Sequence, residues 1–317
     1  MKSIFPIAII CFVPYAECFR IINARTRPVK SMSMHFEEAL IGNTELSKDA
    51  LTGERYIAMN RFKVRDGAGP KFEKRWADRT SRLASLPGFR FFTLLRRVED
   101  FNVNYEDDGK FGNYVSITLW NDKDAFDAWR TGDAFKEAHG GGGITDFIKL
   151  LTTAIFILDG GPKPAFYDGL LPVQGQTLDV EAPGGWRKVE SDGQSFINPD
   201  VYVVMNRFNI APGQESSFEK IWTDRESSLK KYDGFVFFNM MRRDASKADD
   251  GYNYMSMTIW KNKEAFEVWK KDQGSSHGQS SSESSDKPKI DMKKVIGKPP
   301  RPVFYEGKLA LMSAEGA

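Results

Sequence analysis

Cysteine and histidine are almost missing from this chain. Its two cysteines, Cys11 and Cys18, both fall within the first 18 of 317 residues. A mature chain that loses that segment has none. This excludes a disulfide framework, a cysteine zinc site, an iron–sulfur cluster, a cysteine nucleophile and a thiolate metal ligand. Only three histidines are available for coordination or acid–base work: His35, His139 and His277. A dominant charge is lacking too. The formal net charge is +2 and the lysines and arginines are scattered, so no basic stripe argues for nucleic acid. Apolar and aromatic side chains, by contrast, make up 41% and 13% of the chain, enough for two ordinary domain cores at this length.

The first residues, "MKSIFPIAIICFVPYAEC", carry one lysine before an apolar run from Ile4 to about Tyr15. That run is too short to span a bilayer comfortably and reads as a signal-peptide core. The stretch that follows, "FRIINARTRPVKSMSMH", contains Arg20, Arg25, Arg27 and Lys30 and no acidic residue. A signal-like segment followed by a basic, acid-poor one resembles the bipartite leader of algae with secondary plastids, where a Phe such as Phe19 follows the cleavage point. The expectation is a leader over residues 1–50, a plastid address (secretion or the endomembrane system is the alternative) and no membrane anchor in the mature form.

After residue 54 the chain is written twice. "YIAMNRFKV" returns as "YVVMNRFNI", which maps Asn60 onto Asn206, 146 positions on. The offset falls to 140 between "ITLWNDKDAFDAW" and "MTIWKNKEAFEVW", and to 138 between "FYDG" and "FYEG". The markers keep one order and the deletions sit in polar loops, so a domain has been duplicated. Each copy opens on a strand with Tyr56, Ala58, Asn60 and Phe62 on one face. A helix from about Pro70 to Leu86 follows, with Phe72 and Trp76 at i, i+4. Two antiparallel strands, a helix opened by an Asp, the short helix "GDAFKEAH" and a final apolar segment complete the copy. This is the ferredoxin-like order. The fold class expected is therefore α+β, with two tandem ferredoxin-like domains closing face to face into a barrel-like pseudo-dimer. The domains span residues 54–171 and 200–310, and the Gly-, Pro- and Gln-containing stretch 172–199 links them.

Three residues in each copy carry candidate chemistry. Asn60 sits mid-strand; a buried amide must either satisfy a neighbouring backbone or face a ligand. Trp129, beside Phe126 on its helix, reads on position alone as core. His139, in "DAFKEAHGGGG", reads on its own as a helix end, because a histidine in the last turn suits the dipole and Gly140 suits C′. The duplication adds a second reading. His277 lies 138 positions after His139, and a His-Gly pair recurs in register although the residues before it have been rewritten.

An Asn within an "NRF" strand, a Trp closing an "AFxxW" helix and a His ten residues later in "FKxAH" together resemble the haem-degrading monooxygenases of the antibiotic-biosynthesis-monooxygenase-like superfamily. These are the small non-canonical haem oxygenases known from Gram-positive bacteria. The resemblance covers about residues 54–170 and, more weakly, 200–308. It implies the dimeric α+β barrel, in agreement with the pseudo-dimer. It also implies haem as substrate and cofactor, with O2 and an external electron donor. By this resemblance His139 is the proximal ligand of the haem iron, Asn60 hydrogen-bonds on its distal side and Trp129 presses on the porphyrin.

The second copy keeps Asn206 and Trp269, but His277 stands eight residues after the Trp and lies in "GSSHGQSSSESSDK". That run reads as flexible. The first site is expected to be the functional one and the second weakened or lost. Two alternatives stand beside oxidative haem cleavage with release of iron: a haem-binding or haem-buffering protein without turnover, and a haem-independent monooxygenase of the same superfamily. The expected partners are haem and an unidentified reductant, with the pseudo-dimer able to stand as a monomer.

Overall fold

The computed structural model describes residues 50–78, 82–98, 111–138, 156–175, 201–224, 227–244, 250–276 and 292–312. The first copy supplies β1 (Arg55–Phe62), α1 (Gly69–Ala77), β2 (Phe89–Val98), β3 (Tyr114–Trp120), α2 (Lys123–Thr131), α3 (Asp133–Ala138) and β4 (Lys163–Gln174). The second supplies β5 (Tyr202–Ile210), α4 (Glu215–Thr223), β6 (Phe235–Arg243), β7 (Tyr254–Trp260), α5 (Lys263–Ser276), α6 (Met292–Val295) and β8 (Ile296–Met312).

The eight strands close one antiparallel barrel in the order β1-β3-β2-β8-β5-β7-β6-β4. Each copy lends its last strand to the other: β4 bridges β1 to β6, and β8 bridges β5 to β2. A ferredoxin-like sheet alone would leave an apolar face and two edges in water, and closure removes both problems. Register repeats between copies, Tyr56 opposite Trp120 and Asp168, Tyr202 opposite Trp260 and Glu306. Each sequence offset thus follows a strand, 146 from β1 to β5, 140 from β3 to β7 and 138 from β4 to β8.

Both faces of the sheet are covered. Ile57 and Met59 point into the barrel with Leu95, Val115, Ile117 and Tyr167, where they meet Val203, Met205, Met257 and Tyr305 of the second copy. Tyr56, Ala58 and Phe62 point outward, under the helices of their own copy. The alternation read in β1 is therefore apolar on both phases, and every residue of β3 is buried. Phe72 and Trp76 of α1 seat on Phe62, with ring centroids 5.2 and 5.9 Å away. Burial of each such side chain contributes about 1.5–3 kcal/mol.

The seams are held by a polar cluster that is itself duplicated. Arg96 bonds Glu73 of its own copy and Glu306 of the other, and Tyr114 donates to Glu73 at 2.7 Å. Arg242 likewise bonds Glu219 and Asp168, and Tyr254 donates to Glu219. The second cluster is capped by Leu51, whose N–H donates to Glu219 and whose carbonyl accepts from Arg242.

Three boundaries differ from the sequence reading. The first helix ends at Ala77, not near Leu86, and Leu83–Ser85 forms a separate 3-10 turn. The chain turns at Asp78, whose N–H bonds back to the Lys74 carbonyl to close the helix. Strand β4 continues to Gln174, into the stretch read as linker, because a register shift after Leu170 lets Val173 pair with Phe238. And Gly274–Ser276, read as part of a flexible run, complete the continuous helix α5.

Candidate functional site

Asn60 lies in the middle of β1, on the outward face and half-buried. Its cross-strand neighbours are Ser116 on β3 and Pro164 on β4. Its side-chain amide makes no hydrogen bond to another described residue. Asn113 supplies the contrast: its Oδ1 accepts from the Val64 N–H at 2.7 Å and its Nδ2 donates to the Val64 carbonyl at 2.8 Å. Asn253 closes the same loop on Ile210. Those amides do structural work at both ends. Asn60, and Asn206 half-buried at the matching place in β5, do not.

Aromatic side chains cover part of the same outward face. Asp122 caps α2, its Oδ1 accepting from the Ala125 N–H at 2.8 Å, and so fixes where the helix begins. One face of α2 then carries Phe126 and Trp129 onto the sheet. Phe126 packs on Tyr56, Phe166 and Trp129 with centroids 5.1, 5.5 and 5.7 Å apart. Trp129 stacks on buried Trp120 at 5.4 Å and meets Phe135 of α3 edge-on at 5.0 Å. Trp129 is therefore packed as the sequence suggested, yet only half-buried. It forms the margin of the core on the outward side of the sheet. In the second copy Trp269 repeats these contacts with Trp260 and Phe266 at 5.6 and 5.8 Å.

The route from Trp to His differs between copies. Gly132 ends α2, its N–H bonding the Trp129 carbonyl, and α3 starts afresh at Asp133. It runs to Ala138, the residue before His139. In the second copy α5 carries on without a break from Lys263 to Ser276. His139 and His277 both lie outside the described residues, so Asn60 and Trp129 are the members of the first constellation that the structure places, and Asn206 and Trp269 of the second.

Tyr56 links the site to the other copy. Its hydroxyl donates to the Asp244 carboxylate at 2.7 Å, and burial together with that carboxylate raises the phenol far above its ordinary pKa. Sequence reasoning missed Ser116 and Thr118, which continue the polar strip that starts at Asn60. Both are buried and Ser116 stands directly opposite the amide. A signal for them existed: "VSITLW" and "MSMTIW" keep Ser and Thr 140 positions apart, as Ser116 and Ser256, Thr118 and Thr258. Chemically the floor offers uncharged donors beside an aromatic surface. Among the described residues no group of three or more His, Cys, Asp or Glu could hold a bare metal ion. No described helix is long and apolar enough to cross a membrane.

Comparison with known proteins places these features. The pattern of the family described as antibiotic biosynthesis monooxygenase matches residues 55–141 and 201–279, together just over half the chain. The two matches contain Asn60, Trp129 and His139, and Asn206, Trp269 and His277. A mycobilin-producing heme oxygenase of Mycobacterium tuberculosis is 36% identical over 85 residues, 27% of this chain and 70% of that protein. A Fusobacterium nucleatum protein classed as a monooxygenase shares the fold at a TM-score of 0.50 and 11% identity, over 83% of this chain and 96% of that one. The heme degrader MhuD from M. tuberculosis, solved with two hemes in its active site, aligns at 30% identity over 37% of this chain and 98% of that chain, with a TM-score of 0.27.

Proposed function

Because the chain belongs to the antibiotic biosynthesis monooxygenase family, we propose that it is a haem-degrading monooxygenase, cleaving haem oxidatively and releasing iron with O2 and electrons from an external reductant. The observation that carries this reading is the Asn60 amide, half-buried without a hydrogen bond to any described residue, on the outward face of the sheet against which Trp129 also packs. A half-buried amide without a protein partner fits a ligand that needs a neutral donor. Haem fits that description, since it asks for a mostly apolar surface with a few placed polar groups. The 36% identity to a heme oxygenase supports the same choice of substrate.

In this reading bound haem would supply the redox-active iron and the oxidisable ring. Residues of the chain supply position. His139, just past α3, holds the iron as a neutral imidazole. Asn60 would donate a hydrogen bond to the bound group without acting as an acid, and Ser116, opposite it across the ladder, would be a further donor. Trp129, braced by Trp120 and Phe135, presses on the ring edge and keeps water away. The first copy is the working site, and the second completes the barrel with a weakened one. The leader of residues 1–50 directs the chain to a plastid, which a fluorescent fusion of those residues tests.

Titrating residues 50–317 with hemin should give a shifted Soret band that His139→Ala abolishes and His277→Ala leaves. Adding ascorbate under air should then bleach it. A hemin spectrum identical to that of free hemin would end the proposal. A shift without bleaching would favour the haem-buffering alternative.

A further inference from the structure

Asp244 belongs to the second copy, one residue beyond β6, yet among the described residues its hydrogen bonds run into the first. Its backbone N–H donates to the Phe166 carbonyl at 2.8 Å and extends the β4–β6 seam by one rung. A single carboxylate oxygen, Oδ2, accepts from the Tyr56 hydroxyl at 2.7 Å and from Lys123 Nζ at 2.7 Å. Lys123 is the first residue of α2 and Tyr56 lies on β1, on the same outward face as Asn60. Lys123 Nζ also lies 5.6 Å from the Tyr56 ring centroid. One acceptor therefore ties the start of the helix that carries Phe126 and Trp129 to the strand that carries Asn60.

The helix has a reason to need it. A cation in the first turn meets the positive end of the helix dipole and works against it. An anion at the same point reverses that effect, and Asp244 stands 2.7 Å from the ammonium. The residue at the acceptor position differs between copies. By register Tyr202 and Lys263 stand where Tyr56 and Lys123 do, and Val98 stands where Asp244 does, opposite Phe304 as Asp244 bonds to Phe166. Val98 has no side-chain acceptor and packs against the apolar cluster of the second copy.

As a contribution to stability the pair counts for little. The Lys123 side chain is 53% exposed and that of Asp244 31%, the range in which ion pairs add next to nothing. What the contact does provide is a link between the N-terminus of α2 and β1.

We infer that Asp244 of the second copy is a positioning residue for the first copy's cleft, holding Tyr56 and the α2 N-terminus so that Trp129 faces the Asn60 floor; the cleft's ligand is taken from the haem reading above. The second copy then does more than close the barrel. It helps to complete the cleft of the first.

The test uses residues 50–317 carrying His277→Ala, with Asp244→Val (the residue of the other copy) and Asp244→Asn as variants. Hydrogen–deuterium exchange of 123–131 in haem-free protein should accelerate about tenfold in Asp244→Val, against no change in 263–276, with Tm within about 3 °C of the parent. Hemin Kd should rise about fivefold, with an altered Soret band. Asp244→Asn, which keeps an acceptor but no charge, should fall between. Unchanged exchange in α2 would overturn the inference, and so would faster exchange with hemin affinity unchanged. If the parent binds no hemin, the haem reading fails by itself and the positioning role is decided by exchange alone.

Discussion

Asp250 is the residue whose loss should be felt most widely in the barrel. It sits at the turn before β7 with its side chain 1% exposed. Its Oδ2 accepts from Arg61 Nη1 of the other copy at 2.6 Å, and Arg243 lies at 3.8 Å from the same oxygen. Oδ1 accepts from the Tyr252 N–H at 3.1 Å. Asp250→Ala thus takes the carboxylate from two buried guanidinium groups at once. Removing one partner of a buried ion pair costs about 3–5 kcal/mol, because the other charge stays desolvated. Arg61 keeps a bond to the Lys163 carbonyl at 3.3 Å and a ring contact with Phe111 at 5.6 Å, which places the expected loss near the lower end, about 3 kcal/mol. Urea unfolding followed by tryptophan fluorescence should show the midpoint falling with the slope unchanged. A loss below about 1 kcal/mol, the value of an exposed pair, would refute the claim that this charge is part of the barrel interior.

The floor asparagine and the structural one should separate cleanly. Asn113→Ala leaves the Val64 N–H and carbonyl without their partners and should cost about 1–3 kcal/mol in thermal unfolding, whereas Asn60→Ala should leave stability nearly unchanged and slow haem bleaching. Gly112 and Gly251 both have positive φ, +73° and +79°, but a Cβ on Gly112 would run into the Phe62 carbonyl while one on Gly251 meets only the end of Lys298. Gly251→Ala should therefore cost about 1–2 kcal/mol and Gly112→Ala clearly more, as read by Tm. Asp244 feels burial, which raises its pKa, but hydrogen bonds from Lys123 and Tyr56 outweigh it and hold the carboxyl below its usual value. Its contribution is thus present above the unfolded carboxylate pKa and lost as pH falls through the depressed one. The stability difference between parent and Asp244→Asn should vanish over that acid range. Tyr56, Tyr114, Tyr167, Tyr254 and Tyr305 are all raised, chiefly by burial. The stability they lend is present below the ordinary phenol pKa and lost as pH rises through the raised values. Tyrosinate absorbance at about pH 11 should accordingly omit them until the protein unfolds.

The barrel was legible because duplication left its marks in strands, where register forbids insertion. A shift of one residue would move Tyr56 and Phe62 from the helix side to the barrel interior, so the offsets survived and only loops shortened. The places of Asn60 on β1 and Trp129 on α2 were legible for the same reason, each repeated in the second copy. Ser116 escaped notice because one hydroxyl in an apolar strand looks like an ordinary strand residue until its partner across the ladder is known. The helix at Pro70 was read too long because its apolar spacing continues to Leu83, which in fact belongs to a separate turn. Asp244 could not be found at all. It lies 188 positions from Tyr56, and only closure of the barrel brings them together.

Fusing the two copies has a physical consequence that a symmetric dimer cannot share. Identical subunits must solve each pair of equivalent positions twice in the same way. Here Arg61 meets the Asp250 carboxylate, while its counterpart Arg207 lies over the rings of Phe111 and Tyr252 at 4.5 and 4.8 Å. At the offset of 140 that pairs Asn113 with Asn253, Phe111 falls on Gly251 and Gly112 on Tyr252, so the groups offered to the two arginines differ between the turns. Asp244 and Val98 divide in the same manner at the seams. Once such positions differ, nothing in the fold keeps the two clefts equal, and one can lose its ligand contacts while its strands go on closing the barrel. Haem stoichiometry measures how far that divergence has gone. One equivalent per chain, lost with His139, fits the asymmetry of Asp244; two equivalents, each lost with its own histidine, would mean that the interior has diverged and the clefts have not.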